Sequence, residues 1–272
     1  MNILERFMVA IDLHLVSWNR PKMTELVVRT IQRNTKPENY RLHVLDNGSD
    51  IETTDMLRHL QDNGYIDHIY FSEINMGLEK ARQYMVAGSI YPGGKYFICI
   101  DNDCLPPPMR DGKDWVERLV ELMQKYEDFG AISARTQVMI GTGNIFEEAD
   151  KVGDDIVEFP HPGGSLRIMR TFAVKEVGGW DREVEGRGAE ERYIGSKLHE
   201  SGWRTAFATQ IRTLHLFGAR NQTAERWGYK EGMTPEETGH SDIHHPALIN
   251  GDDKEEVLLY ASKEDTERYF DA

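Results

Sequence analysis

Lys95-Tyr96-Phe97-Ile98-Cys99-Ile100-Asp101-Asn102-Asp103-Cys104-Leu105-Pro106 is the stretch on which the rest of the chain is read. An aromatic and β-branched run stopped by Pro106, Pro107 and Pro108 reads as a buried strand entering a loop. In an open α/β sheet, ligands bind just beyond the carboxyl ends of the strands. Two carboxylates there, one residue apart, make a hard oxygen site suited to Mg²⁺ or Mn²⁺. Asp and Asn also favour plain turns, so the weight of the triplet depends on what surrounds it.

Working outward toward the N-terminus, residues 8–17 alternate, with Val9, Ile11, Leu13 and Leu15 on one face and Asp12 and His14 on the other. That is a strand. Its polar face is awkward for a sheet covered on both sides and calls for a pairing partner. Ser17-Trp18-Asn19-Arg20-Pro21 follows, and Pro21 suits the first turn of a helix whose apolar residues are Met23, Leu26, Val27 and Ile31. Residues 40–46 form a second strand ending in Asp46-Asn47-Gly48-Ser49, followed by a helix over about 53–61 and a third strand over 66–71. Asn75-Met76-Gly77 opens a helix carrying Leu78, Ala81, Arg82 and Met85. Beyond the central stretch come an amphipathic helix from Trp115 to Tyr126 and a short strand at 130–134.

This half therefore reads β-α-β-α-β-α-β-α-β, a doubly wound, mostly parallel α/β sheet. Its strand ends gather Trp18, Asn19, Asp46 and Asp101 at one rim, the pattern of a nucleotide crevice. The second half is less regular. Residues 136–162 resist assignment; strands are expected at 164–170, 204–208 and 213–216, with helices at 171–177 and 190–201. Residues 219–272 read as an extension or lid on the same domain, and His240, His244 and His245 there as a polar loop rather than a metal cluster.

Composition narrows the classes. The chain has 272 residues, 39% hydrophobic and 29% charged, with a net charge of −14 and mean hydropathy −0.57. The charge argues against a strongly basic nucleic-acid surface and against anchoring to anionic lipid. The first apolar run, Phe7 to Val16, is too short to span a bilayer and is interrupted by Asp12 and His14. The expected location is cytoplasmic. Cys99 and Cys104 have neither redox nor zinc spacing and are expected as reduced structural thiols.

The ordered set Ser17-Trp-Asn-Arg-Pro21, Val44-Leu-Asp-Asn-Gly-Ser49, Asn75-Met-Gly77 with Arg82, Ile100-Asp-Asn-Asp103, Val177-Gly-Gly-Trp-Asp181, Glu190-Glu191 and His215 resembles the GT-A-fold glycosyltransferases, family 2-like, over about residues 8–218. The resemblance implies a GT-A domain over 1–218, with a nucleotide-binding half (1–135) and an acceptor half (136–218). It implies transfer of a sugar from a nucleoside-diphosphate sugar, UDP above all, to an acceptor hydroxyl with inversion, aided by Mn²⁺ or Mg²⁺. By the same resemblance Trp18, Asn19, Asp46, Asn75, Gly77 and Arg82 contact the sugar nucleotide. Asp101 and Asp103 match the metal-binding triplet, with Asp103 as the direct ligand and Asp101 on the ribose or on metal-bound water, and His215 completes the metal shell. Trp180 stacks on a sugar. Glu191 is the base, with Glu190 as fallback, because this chain has Glu where the family has Asp in second place. Arg187 and Arg192 contact phosphate or pair with nearby acids.

Two rivals are a sugar-nucleotide nucleotidyltransferase and a non-catalytic sugar-nucleotide or glycan-binding module. The first expects a Gly-rich basic phosphate loop after the first strand, where Ser17-Trp-Asn-Arg-Pro stands. The absence of G-x-G-x-x-G there disfavours a dinucleotide dehydrogenase. The acceptor stays open; a nucleic acid is allowed but not favoured.

Overall fold

The computed structural model describes residues 10–89, 94–136, 151–152, 154–181 and 189–215. The expected 219–272 extension, the histidines at 240, 244 and 245, and Arg187 lie outside the described residues. In chain order the strands are β1 (Ile11–Ser17), β2 (Tyr40–Asp46), β3 (His68–Phe71), β4 (Tyr96–Asp101), β5 (Cys104–Leu105), β6 (Phe129–Thr136), β7 (Lys151–Val152), β8 (Ile156–Glu158), β9 (Leu166–Arg170) and β10 (Arg204–His215). The helices are α1 (Pro21–Asn34), α2 (Ile51–Asp62), α3 (Leu78–Ser89), α4 (Trp115–Lys125), α5 (Thr171–Glu176) and α6 (Ala189–Glu200).

The strands form one sheet in the order β3-β2-β1-β4-β9-β6-β10-β8-β7, with β5 paired to β10. Strands β1 to β4 are parallel, as are β6 and β10; β9 runs antiparallel between β4 and β6, and β8 antiparallel to β10. The order 3-2-1-4 reverses direction between β1 and β4, which opens a crevice at their carboxyl ends. The last two expected strands are one: β10 runs through residue 209 with a register break between Phe207 and Arg212. A polar, bulged middle segment hides the continuity from a hydropathy reading.

Helices pack on both faces. One face carries the main core, in which Leu13, Leu15, Leu42, Val44, Ile98 and Ile100 meet Val27, Leu57 and Leu119. Each such side chain contributes roughly 1.5–3 kcal/mol on leaving water. The other face carries Phe97, Cys99, Met169, Val174, Trp180, Ile194 and Leu198. Helix α4 starts where it does because Asp114 and Glu117 form a reciprocal cap. The polar face of β1 finds its partners on β2: Asp12 accepts from Arg41 at 2.8 Å and lies 3.1 Å from His43 Nε2. Both cysteines are buried and unbonded to each other.

Candidate active site

Three strand ends build the rim. At the end of β2, Asp46 is 1% exposed. Its Oδ2 accepts the Ser49 amide at 3.2 Å, and its buried Oδ1 meets no hydrogen-bond partner among the described residues. Burial raises the Asp46 pKa. A buried acceptor left unmet is costly and is relieved by a donor such as a base N–H or ribose hydroxyl. Asn47 holds the neighbouring loop, donating to Asn75 Oδ1 and accepting from the Met76 amide, both at 2.9 Å. Gly48, at φ +77°, packs so tightly that an added Cβ would stand 2.4 Å from the Ile74 carbonyl carbon. Asn75 is exposed, and Gly77 turns at φ +84° into α3.

At the end of β1, Trp18 is half-buried in the crevice. Asn19 and Arg20 both adopt left-handed backbone, at φ +51° and +59°. Consecutive non-glycine residues there cost energy and are held only by surrounding contacts. Those contacts are the Asn19 amide donating to Ser49 Oγ at 2.8 Å and Asn19 Oδ1 accepting the Asp50 amide at 3.0 Å. The turn brings Arg20 Nη1 to 3.5 Å from Asp103 Oδ2.

At the end of β4 the two acids part ways. Asp101 accepts from Arg82 Nη2 at 2.6 Å, while Asp103 meets His215. The antiparallel β5–β10 pair sets Cys104 opposite His215, so His215 Nε2 stands 3.3 Å from Asp103 Oδ1. One ligand atom each from Asp103, Cys104 and His215 lie within 4.8 Å of one another. Burial pushes Asp103 up, but His215 and Arg20 outweigh it and hold its carboxyl well below the usual range. Burial, aided by the charges of Asp103 and Glu190, raises Asp101 in spite of Arg82. Burial keeps the Cys104 thiol protonated, so the donors suited to a hard divalent ion are the Asp103 carboxylate and a ring nitrogen of His215. Asp101, expected among the ligands, lies outside that trio.

The acceptor-side helix α6 begins with Glu190 and Glu191. Glu190 is 3% exposed. It pairs with Arg167 and, at 3.2 Å, with Arg82 Nε. Burial would raise its pKa; Arg167 and Arg82 prevail and lower it. A carboxylate pinned between two buried guanidinium groups is a brace, not a base. Glu191 is different: its side chain is half-buried and rests on Gly164, where an added Cβ would fall 2.2 Å from Oε1. The next residue, Ser165, accepts the Asp101 amide at 3.0 Å, so Glu191 stands beside the acidic strand end.

Trp180, expected to stack on a sugar, is 1% exposed in the second core cluster, with the Arg167 guanidinium 5.4 Å from its ring. The turn at Gly178 and Gly179 folds the indole inward, and no face is open. Arg82, placed by resemblance among the nucleotide contacts, is a buried brace between Asp101 and Glu190. Arg192 is exposed on α6. The sequence reading missed Arg167 and Arg20. A lone arginine between Leu166 and Ile168 in an apolar strand was the available sign of a buried counter-charge.

The family model "Glycosyl transferase family 2" matches residues 13–175. Similar solved structures include a mannosyltransferase, PcManGT from Pyrobaculum calidifontis, in complex with GDP-Man and Mn²⁺: TM-score 0.63, 14% identity, over 97% of this chain and 76% of that one. GalNAc-T7 with UDP, GalNAc and Mn²⁺ has TM-score 0.59 and 16% identity over 78% of this chain. S. aureus TarS 1-349 has TM-score 0.57 and 14% identity over 75% of this chain and 60% of that one. This chain spans 44% of the GalNAc-T7 chain. No curated protein matches it in sequence. Among the described residues no helix is long and apolar enough to cross a membrane.

Proposed function

Since this chain belongs to glycosyl transferase family 2 and is a glycosyltransferase of GT-A fold, we propose that it moves a sugar from a nucleoside-diphosphate sugar to an acceptor hydroxyl with inversion. The observation that carries this reading is the meeting of Asp103 and His215, 3.3 Å apart, at the mouth of the β1–β4 crevice. The unmet Asp46 Oδ1 on one side and Glu191 on the other supply a place for the nucleoside and a base.

In this reading Asp46 accepts a hydrogen bond from the base or ribose, and the left-handed turn at Asn19 and Arg20 shapes the wall beside it. Asp103 and His215 would hold Mn²⁺ or Mg²⁺, which when bound offsets the negative charge that builds on the departing diphosphate. Glu191 takes the proton of the acceptor hydroxyl while that oxygen bonds to the anomeric carbon. The bond from that carbon to the diphosphate oxygen breaks on the opposite face, and its electron pair leaves with the nucleoside diphosphate. Glu190 and Arg82 do not exchange protons; they hold the two halves of the site in register. The solved neighbours bind UDP in one case and GDP-Man in another, so the donor base is left to experiment.

The test is release of nucleoside diphosphate from a panel of UDP- and GDP-sugars with Mn²⁺, wild type against Asp103→Ala. Turnover of one donor by wild type, reduced at least about 100-fold in the variant, is the expected result. A wild-type protein that neither binds nor hydrolyses any donor overturns the reading.

A further inference from the structure

Cys104 and His215 face each other across the antiparallel β5–β10 pair, with Leu105 opposite Leu214 in the same register. Side chains directly opposite on such a pair project to one side, their Cβ atoms about 4.5–5.5 Å apart. The short strand β5 is pinned in this register, because the Thr213 hydroxyl donates to the Leu105 carbonyl at 2.7 Å. Asp103, one residue earlier, brings its carboxylate to the same point. Its Oδ1 lies 3.3 Å from His215 Nε2 and accepts from Cys104 Sγ at 3.6 Å.

Those two spacings match the edges of a coordination shell. Around a tetrahedral Zn²⁺ with its usual bond lengths, oxygen and nitrogen ligands stand about 3.3–3.4 Å apart, and oxygen and sulfur ligands about 3.6 Å. All three donor atoms lie within 4.8 Å of one another, so one ion can touch them together. Carboxylate, imidazole and thiolate form the mixed set of a borderline-soft ion such as zinc, whereas Mn²⁺ and Mg²⁺ favour oxygen. Three protein donors is also the number a reactive zinc takes, its fourth position going to water or substrate.

Charge favours the same ion. A thiol binds zinc as the thiolate and gives its proton to solvent, and a metal-bound imidazole is neutral. Two anionic donors and one neutral donor then cancel the charge of the dication. Neutrality lowers the cost of burial at a place where Cys104 is fully enclosed. Asp103 and His215 are each partly exposed and provide the way in. The cysteine and the histidine come from strands far apart in sequence, so no Cys/His spacing along the chain shows the trio.

We propose that Asp103, Cys104 and His215 form a zinc site with Cys104 as its sulfur ligand, in which Zn²⁺ competes with Mn²⁺ for Asp103 and His215. The competition rests on the glycosyltransferase reading above; the sulfur ligand itself needs no turnover to be seen.

The experiment is X-ray absorption at the zinc edge on the full wild-type chain loaded with half an equivalent of Zn²⁺. One sulfur at about 2.3 Å from the zinc is the expected result. A shell of nitrogen and oxygen alone overturns the site, and this measurement depends on no variant. Co²⁺ gives a second reading, since cobalt bound to thiolate absorbs in the near ultraviolet. The chain has two cysteines, Cys99 and Cys104. Wild type should show the band and C104A should lose it, with zinc affinity lowered at least about tenfold. A band retained by C104A assigns the sulfur to Cys99 and overturns the site. Donor hydrolysis with Mn²⁺ is measured on the same wild-type preparation. Hydrolysis without zinc–sulfur coordination sinks the zinc site alone; coordination without hydrolysis of any donor supports the zinc site and sinks the donor reading.

Discussion

Arg82 Nη2 lies 2.6 Å from Asp101 Oδ1, and Arg82, on α3, is 1% exposed. The same guanidinium reaches Glu190 at the start of α6. One buried cation therefore ties the acidic end of β4 to the acceptor-side helix. Adjacent acids on α6 take different parts as a result, Glu190 held in place and Glu191 left to face the rim.

Glu190→Gln should destabilise the fold by about 3 kcal/mol or more, because it leaves buried guanidinium charge uncompensated. Glu191→Gln should leave urea-denaturation stability within about 0.5 kcal/mol and reduce transfer at least about 100-fold. If Glu190→Gln is as stable as wild type while Glu191→Gln unfolds, the two roles are reversed.

His215→Ala should weaken Mn²⁺ binding roughly tenfold or more, about 1.4 kcal/mol, and Asp103→Asn should weaken it further. Electron paramagnetic resonance of free Mn²⁺ titrated with protein reads this directly. Cys104→Ser should leave the affinity within about twofold, since the buried thiol stays protonated; a large loss there would make sulfur a ligand.

Stability should fall on mild acidification. Burial, with the charge of His43 beside it, lowers the His14 pKa to about 3. The unfolded chain, with a pKa near 6.5, takes up the proton first. The contribution of His14 is therefore complete above about pH 6.5 and is lost as pH drops from there toward about 3, by up to ~1.4 kcal/mol per pH unit. Urea melts at pH 7.5, 6.5 and 5.5 should show a small fall between the first two and a fall roughly three times larger between the last two. His14→Leu, packed against Phe97, whose ring centroid is 5.2 Å away, should flatten that fall. An unchanged slope would assign it elsewhere.

Gly48→Ala should cost about 1–3 kcal/mol, because a methyl group there meets the Ile74–Asn75 backbone and the residue sits at φ +77°. Loosening that loop also disturbs the Asn47–Asn75 contact, so donor affinity should drop in the same variant. A neutral effect on both would show that the loop shifts freely.

The polar face of β1 illustrates the limit of a one-dimensional reading. Asp12 and His14 announce that partners are required, but only the β1–β2 register names them as Arg41 and His43. Trp180 shows the converse. A tryptophan in a glycine-rich turn near candidate acids suggests a sugar platform, yet burial against Arg167 and the second core cluster decides otherwise.

Period and punctuation along the chain determined the alternating strands and helices of the first half and the strand-end positions of Asp46, Asp101 and Asp103. Those are local quantities: side-chain periodicity, proline and glycine placement, and the rule that parallel crossovers deliver loops to one rim. Tertiary structure alone decided that β9 inserts antiparallel between β4 and β6, that His215 reaches Asp103 through the β5–β10 pair, and that Arg82 and Arg167 enclose Glu190. The physical reason is that a charge's meaning depends on which opposite charge shares its burial, and partners 23 or more residues away in sequence are chosen by strand order and register, which hydropathy along the chain does not encode.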